Sequence, residues 1–183
     1  NLDDGVYVHF GKQEDSNKNN LGDISNLGFI VGSKSIAIID SGASVKIASK
    51  MLKKIKKTSN LPISHVIITH SHPDHFLGTE ALMAENPIVI GHEKLNRSMT
   101  NNFEFYKNLQ FSLTEDKSLK STKLILAETL IKIDAIHTID LGNRKLSIKA
   151  WSSGHTDNDL SIYDEKTKIF WSENIFVDRT PSI

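Results

Sequence analysis

The chain has 183 residues and a formal net charge of zero, with 22 Lys+Arg against 22 Asp+Glu. That balance excludes a nucleic-acid binder or polybasic membrane-surface protein that works through bulk charge. The absence of Cys excludes disulfide scaffolds and thiol nucleophiles, and no apolar run approaches the ~20 residues needed to span a bilayer.

At ~100–200 residues per domain the length predicts one globular domain over 1–183. The first residue is Asn1 rather than Met, as expected of a processed or trimmed chain, and the lack of Cys suits an exported protein. Val6 to Phe10 reads as a short strand, and the polar stretch Lys12 to Asn20 as a loop. Leu27–Val31 and Ser35–Asp40 are apolar runs around Gly32-Ser33-Lys34, so a hairpin of largely buried strands is expected. Ser44 can cap a helix in which Val45, Ala48, Met51, Leu52 and Ile55 keep the helical period, with a lysine-rich solvent face and Pro62 after its end. His65-Val66-Ile67-Ile68-Thr69 is β-branched and apolar, the composition of a central strand. A short helix through Glu80–Ala84 and a strand Ile88–Ile90 follow. Leu95, Met99, Phe103, Tyr106, Leu109 and Leu113 then mark a long amphipathic helix. Glu115 to Lys123 is polar and reads as a mobile connection. The remainder is β-rich: Ile136–Leu141 and Lys145–Trp151 flank a Gly142-Asn143 turn, and Leu160–Tyr163 pairs with Lys168–Trp171. The order β-β-α-β-α-β followed by hairpins predicts sheets with helices packed on them.

Of the eight His in the chain, His65, His70, His72, His75 and His92 crowd one short stretch. His70-Ser71-His72-Pro73-Asp74-His75 supplies four candidate metal ligands. On an extended segment, residues two apart point to the same side, so His70 and His72 can grip one ion. Pro73 turns the chain and presents Asp74 and His75 toward a second. Imidazole and carboxylate are ligand types that zinc, iron and manganese accept. The stretch leaves a central strand at its carboxyl end, where sites in layered α/β sheets gather.

His70-x-His72-x-Asp74-His75 resembles the signature of the metallo-β-lactamase superfamily of metallohydrolases. Ile39-Asp40-Ser41-Gly42, Gly154-His155-Thr156 and the segment Ile169 to Phe176 resemble further family elements in the right order. Gly154 to Leu160, with Phe176, Arg179, Pro181 and Ser182, is also similar to the quinoprotein relay system zinc metallohydrolases, a branch typically exported to the periplasm. The resemblance implies a mixed α/β fold of the αββα sandwich type, with metals between the edges of two sheets. It implies that His70, His72 and His155 hold the first metal and that Asp74 and His75 hold the second. Glu173 stands where the family has a bridging carboxylate. Two zinc ions are the implied cofactor, with iron or manganese as alternatives.

Two departures accompany the likeness. The bridging residue is normally Asp, and the extra methylene of Glu173 moves its carboxylate outward. The family's last His ligand has no counterpart up to Ile183, so the expectation is a C-terminally incomplete domain. A metal pair of this kind lowers the pKa of bound water toward ~7, and the hydroxide attacks an ester, thioester, amide or lactam carbonyl. Asp74 would orient the water. A small-molecule substrate is implied, nucleic acid is disfavoured by the neutral charge, and the oligomeric state is open. Alternatives are a strict β-lactamase, a di-iron redox protein, and a metal-binding member without turnover.

Other residues have two readings. Asp40 either orients a ligating His or caps a turn, and Asp159 either does likewise or forms a strand-entry turn. Thr156 is expected to position His155. His9, His65, His92 and His137 read as structural, His92 as a capping or packing residue. Trp151 and Trp171 read as core. Phe103, Phe105 and Tyr106 are core or the wall of a substrate cleft that favours a hydrophobic leaving group.

Overall fold

The structure, a computed structural model, describes residues 2–172. Glu173 and the motif residues Phe176, Arg179, Pro181 and Ser182 lie outside the described residues. A six-stranded sheet runs in the order β1 (Val6–His9), β2 (Leu27–Val31), β3 (Ile36–Ile39), β4 (Ile63–Ile67), β5 (Ile88–His92), β6 (Thr129–Ile131). The first three strands pair antiparallel, and β3 to β6 pair parallel. A four-stranded antiparallel sheet has the order β10 (Ile169–Trp171), β9 (Leu160–Asp164), β8 (Lys145–Ala150), β7 (Ile136–Asp140). Gly142 and Asn143 both take positive φ, 86° and 50°, between β7 and β8. That is the geometry a two-residue hairpin turn needs to match strand twist.

The strands are apolar on both faces where both faces are covered. β3 is buried at every position, as a parallel strand between two layers should be. On one side of the large sheet, Phe29, Ile38 and Val66 pack with Ile47, Met51 and Ile55 of α1 (Val45–Thr58) and with Met99 and Phe103 of α3 (Leu95–Thr114). On the other side, Ile30, Ile39, Ile67 and Ile90 meet Ile139, Leu146, Ile148, Ile162 and Trp171 of the small sheet. Among the described residues the layers are therefore helix, sheet, sheet. The far face of the small sheet carries Lys149, Trp151, Tyr163 and Phe170, with no described helix over it. Among the described residues, no helix is long and apolar enough to cross a membrane.

Several local expectations change. Ser44 does cap α1, accepting from the Ile47 amide. The short helix after the histidine cluster is a 3₁₀ segment, Thr79–Glu85, and a one-turn helix α2 (Pro73–Phe76) precedes it. The polar connection after α3 is anchored rather than mobile, because Lys117–Ser121 forms a 3₁₀ turn with Leu119 buried. The strand β6 has only three residues, too short to show a period. Trp171 is core, but Trp151 is 38% exposed, since β8 alternates and Ala150 takes the inward position.

Candidate metal centre

The site is assembled where β3 and β4 end and the small sheet meets the large one. Leu160, opening β9, donates its amide to the Thr69 carbonyl at 2.8 Å. That single bond ties the edge of the second sheet to the segment carrying His70. Asp40, directly after β3, has a left-handed backbone with φ of 58°, which Asp tolerates better than most side-chain-bearing residues. The turn aims its carboxylate under the histidine cluster. Oδ1 accepts the Thr69 amide at 2.8 Å. Oδ2 accepts the Thr69 hydroxyl at 2.8 Å and His75 Nδ1 at 2.8 Å.

Those contacts assign protons. The Thr69 hydroxyl donates to Asp40, so toward His70 Nδ1, 3.0 Å away, it acts as acceptor. His70 therefore carries its proton on Nδ1 and presents Nε2 as a lone pair. His75 likewise gives its Nδ1 proton to Asp40 and turns Nε2 toward Asp74 Oδ2, 3.4 Å away. One carboxylate thus orients two imidazoles, one directly and one through a hydroxyl, in the manner of an outer-shell partner of metal ligands. Asp40 is the orienting residue and not merely a turn carboxylate.

His70, His72 and His155 converge. His72 Nδ1 lies 3.1 Å from His70 Nε2 and 2.9 Å from His155 Nε2, and all three ligand atoms fall within 4.8 Å of one another. Zinc with Zn–N bonds of ~2.0–2.1 Å and tetrahedral angles would set such nitrogens about 3.3 Å apart. The two distances from His72 are within a few tenths of an ångström of that spacing, the third pair lies within 4.8 Å, and the donors are of the required type. The electrostatics agree with neutral ligands. Burial, followed by the charge of the neighbouring His75, drives the His70 pKa far below its ordinary value. His72 is lowered by burial and then by His155.

Asp74 and His75 form a second group beside the triad, with the His70 and His75 rings 4.1 Å apart. Both sit on α2, whose first position is Pro73, a residue preorganised for helix entry. Burial opposes protonation of His75, but the Asp40 and Asp74 carboxylates outweigh it and push the imidazole up to about 10. Burial also works against ionised Asp74, yet the hydrogen bond and charge of His75 hold its carboxyl below the usual range. A divalent cation offered Asp74 Oδ2 and His75 Nε2 would replace a shared proton. The loop is further fixed from below. Ser41 donates its amide and hydroxyl to the His75 carbonyl at 2.8 and 3.1 Å, and Ser25 donates to the Asp74 carbonyl at 2.5 Å.

His155 is the one triad member on an exposed, irregular loop. Asp159, fully buried, braces that loop by accepting the Thr156 amide and hydroxyl. Asp157 pairs with Arg97 of α3, and the Asn158 amide donates to Ser71 at 3.1 Å. Thr156 and Asp159 therefore both serve the placement of His155. His92 is structural, as expected: fully buried, its Nδ1 accepts the Lys94 amide at 3.0 Å and its Nε2 faces the Trp151 carbonyl at 3.0 Å, while α3 itself has no side-chain cap. Sequence reasoning overlooked Thr69, Ser25, Ser41, Arg97 and Asp157. For Thr69 a signal existed, a hydroxyl residue abutting the first His of the cluster.

Similar proteins agree with the fold. The chain resembles two solved metallo-beta-lactamases, from Pontibacter korlensis and Hirschia baltica, with TM-scores of 0.71 and 0.67 at 16% and 18% identity. Each match covers 94% of this chain and 68% of the other. A linear primary-alkylsulfatase from Pseudomonas sp. is 35% identical over 60 residues, 33% of this chain and 11% of that protein. The alkyl/aryl-sulfatase BDS1 of Saccharomyces cerevisiae is 36% identical over 70 residues, 38% of this chain and again 11% of the relative. The matched stretches thus span about a tenth of the length of these curated relatives. The family model described as the metallo-beta-lactamase superfamily matches residues 21–170. With that match running from before β2 through the whole histidine constellation to β10, the chain belongs to the metallo-beta-lactamase superfamily.

Proposed function

We propose that the protein is a metal-dependent hydrolase of small molecules, cleaving an ester, thioester, amide or lactam bond. His70, His72 and His155 hold one metal ion, and Asp74 and His75 contribute to a second, with zinc the best match to a set rich in imidazole. The observation that carries this reading is the convergence of three ring nitrogens whose tautomer Asp40 and Thr69 dictate at His70. When bound, the metal supplies Lewis acidity and a nucleophile from water at neutral pH.

The protein's own groups do the rest. Asp40 keeps the proton of His70 on Nδ1 and that of His75 on the nitrogen facing away from Asp74. Asp74, kept ionised, is the carboxylate able to orient an attacking water and accept its proton. Asp159 and the Arg97–Asp157 pair hold His155 at the mouth. Because stretches of the chain are similar to parts of two sulfatases, sulfate esters join carboxylic esters, thioesters and lactams among the substrates to be tried.

The test is metal analysis of the purified protein with a hydrolysis panel over those substrate classes. The expected result is zinc in the wild type, and loss of both metal and turnover in His72→Ala by 100-fold or more in rate, about 3 kcal/mol of transition-state stabilisation. Retention of metal and rate by that variant sinks the assignment. Two irons per chain would instead indicate a redox centre.

A further inference from the structure

The helical register of α3 divides its surface. Leu95, Met99, Phe103, Gln110 and Thr114 are buried against the core. One flank packs on the segment that follows the helix, through Asn96 with the Ala127 backbone and through Lys120 over the Phe111 ring. The opposite flank carries Ser98, Asn102, Phe105 and Leu109, a single row at helical spacing. Two observations fix where that row lies. Ser98, at its start, meets Asp157 and Asn158 at 3.4 Å each, in the loop that carries His155. Moreover α2, which bears Asp74 and His75, packs directly on α3. The row therefore runs alongside the candidate metal centre.

Its side chains are out of keeping with a solvated surface. Phe105 is 63% exposed, Leu109 38% and Leu113, one turn further, 40%. The row itself holds no charged residue. Contiguous exposed apolar side chains beside a reactive site mark a place where something apolar binds. We propose that this flank of α3, chiefly Phe105 and Leu109, is the wall on which the alkyl or aryl part of the substrate lies. On that view the enzyme discriminates by chain length, preferring esters with a hydrophobic group to small hydrophilic ones. The inference rests on the hydrolase reading for its setting, but its physical content is binding of an apolar chain.

The experiment uses the full chain loaded with zinc. Rates are compared for p-nitrophenyl esters from acetate to octanoate, and for acetate esters of methanol to octanol, which separates a wall for the acyl chain from one for the alcohol. In one of the two series, kcat/KM should rise about two- to fourfold per methylene, the scale of burying a CH₂ group. In Phe105→Ser/Leu109→Ser the octanoyl-to-acetyl ratio, or its alcohol counterpart, should fall at least tenfold. Both side chains are exposed, so the fold should persist. Ile88→Ser, an exposed apolar residue at the start of β5, should leave the ratio as it was. An unchanged ratio in the double variant overturns the proposal. Calorimetric binding of octanoate against acetate gives a second arm. Should no ester be turned over, ester hydrolysis is removed from the proposed function by that result alone. Equal octanoate-to-acetate affinity ratios in wild type and double variant would then overturn the wall as well.

Discussion

Asp40 orients His70 and His75 together, and no neighbouring group can substitute for its second oxygen. An Asn at 40 keeps the shape and one acceptor. With its oxygen on the Thr69 amide, its nitrogen would face both the Thr69 hydroxyl and the His75 Nδ1 proton, and turned over it would face the Thr69 amide, donor against donor either way. His70 would no longer be held to the tautomer that leaves Nε2 free. Outer-shell partners of this kind typically contribute 10–100-fold in metal affinity, so Asp40→Asn should weaken zinc binding by that factor in competition with a chromophoric chelator. An affinity within twofold of wild type would show that Asp40 is only a turn residue. The two ends of this arrangement differ in how readable they are. The ligands His70, His72, Asp74 and His75 are adjacent in the chain, and their types and spacing announce them. The Asp40 contact spans a sequence separation of 29 to Thr69 and 35 to His75. It exists only because Asp40 takes a left-handed backbone, which a non-glycine residue seldom signals.

At the level of elements, the apolar strands and the capped helix α1 were readable because local pattern and tertiary need coincide. The short pieces α2, β6 and the 3₁₀ turn at Lys117–Ser121 were not. They are too brief for periodicity and are held by partners remote in sequence, as when the Lys123 amide bonds to Glu80 at 2.9 Å. Gly28 shows the same limit from the side of packing. It sits in the middle of β2, where glycine weakens a strand, and its role appears only across the sandwich. A Cβ there would come within 2.2 Å of the Trp171 ring and 2.8 Å of the Tyr7 carbonyl. Trp171 is 1% exposed and has nowhere to retreat. Gly28→Ala should therefore destabilise by about 1–3 kcal/mol, the cost of overpacking a filled core, read from denaturant unfolding. The near-UV signal of the tryptophans should change with it. A neutral effect would mean that the two sheets are more loosely stacked than the structure shows.

Across the whole molecule, the sandwich is fastened at both ends. At the site end Leu160 reaches Thr69, and His155 approaches His70 and His72 from the second sheet's side. At the other end Arg144, directly before the β8 strand and 3% exposed, spans both sheets. Its Nη1 donates to the carbonyls of Asp4 and Val31, at 2.7 and 2.9 Å. Its Nε and Nη2 donate to Asp164 of β9 at 3.2 and 2.5 Å. Asp164 is fully buried and also accepts from the Thr167 hydroxyl at 2.5 Å. Removing the guanidinium leaves a buried carboxylate without its counter-charge, so Arg144→Ala should cost about 3–5 kcal/mol at neutral pH. The dependence on pH has a definite sign. Burial works against ionised Asp164, but Arg144 and Thr167 outweigh it and hold the carboxyl below 3.8. A depressed folded-state pKa gives stability that is complete above the unfolded value. That stability fades as pH falls from there through the folded value. In Arg144→Ala the same carboxyl becomes easier to protonate than in the unfolded chain, so acid relieves the variant while it weakens the wild type. The gap between the urea midpoints of wild type and variant should accordingly be smaller at pH 3 than at pH 7. A gap equal at both pH values would mean that the cost of the substitution lies in lost packing of the arginine stem and the two freed carbonyls.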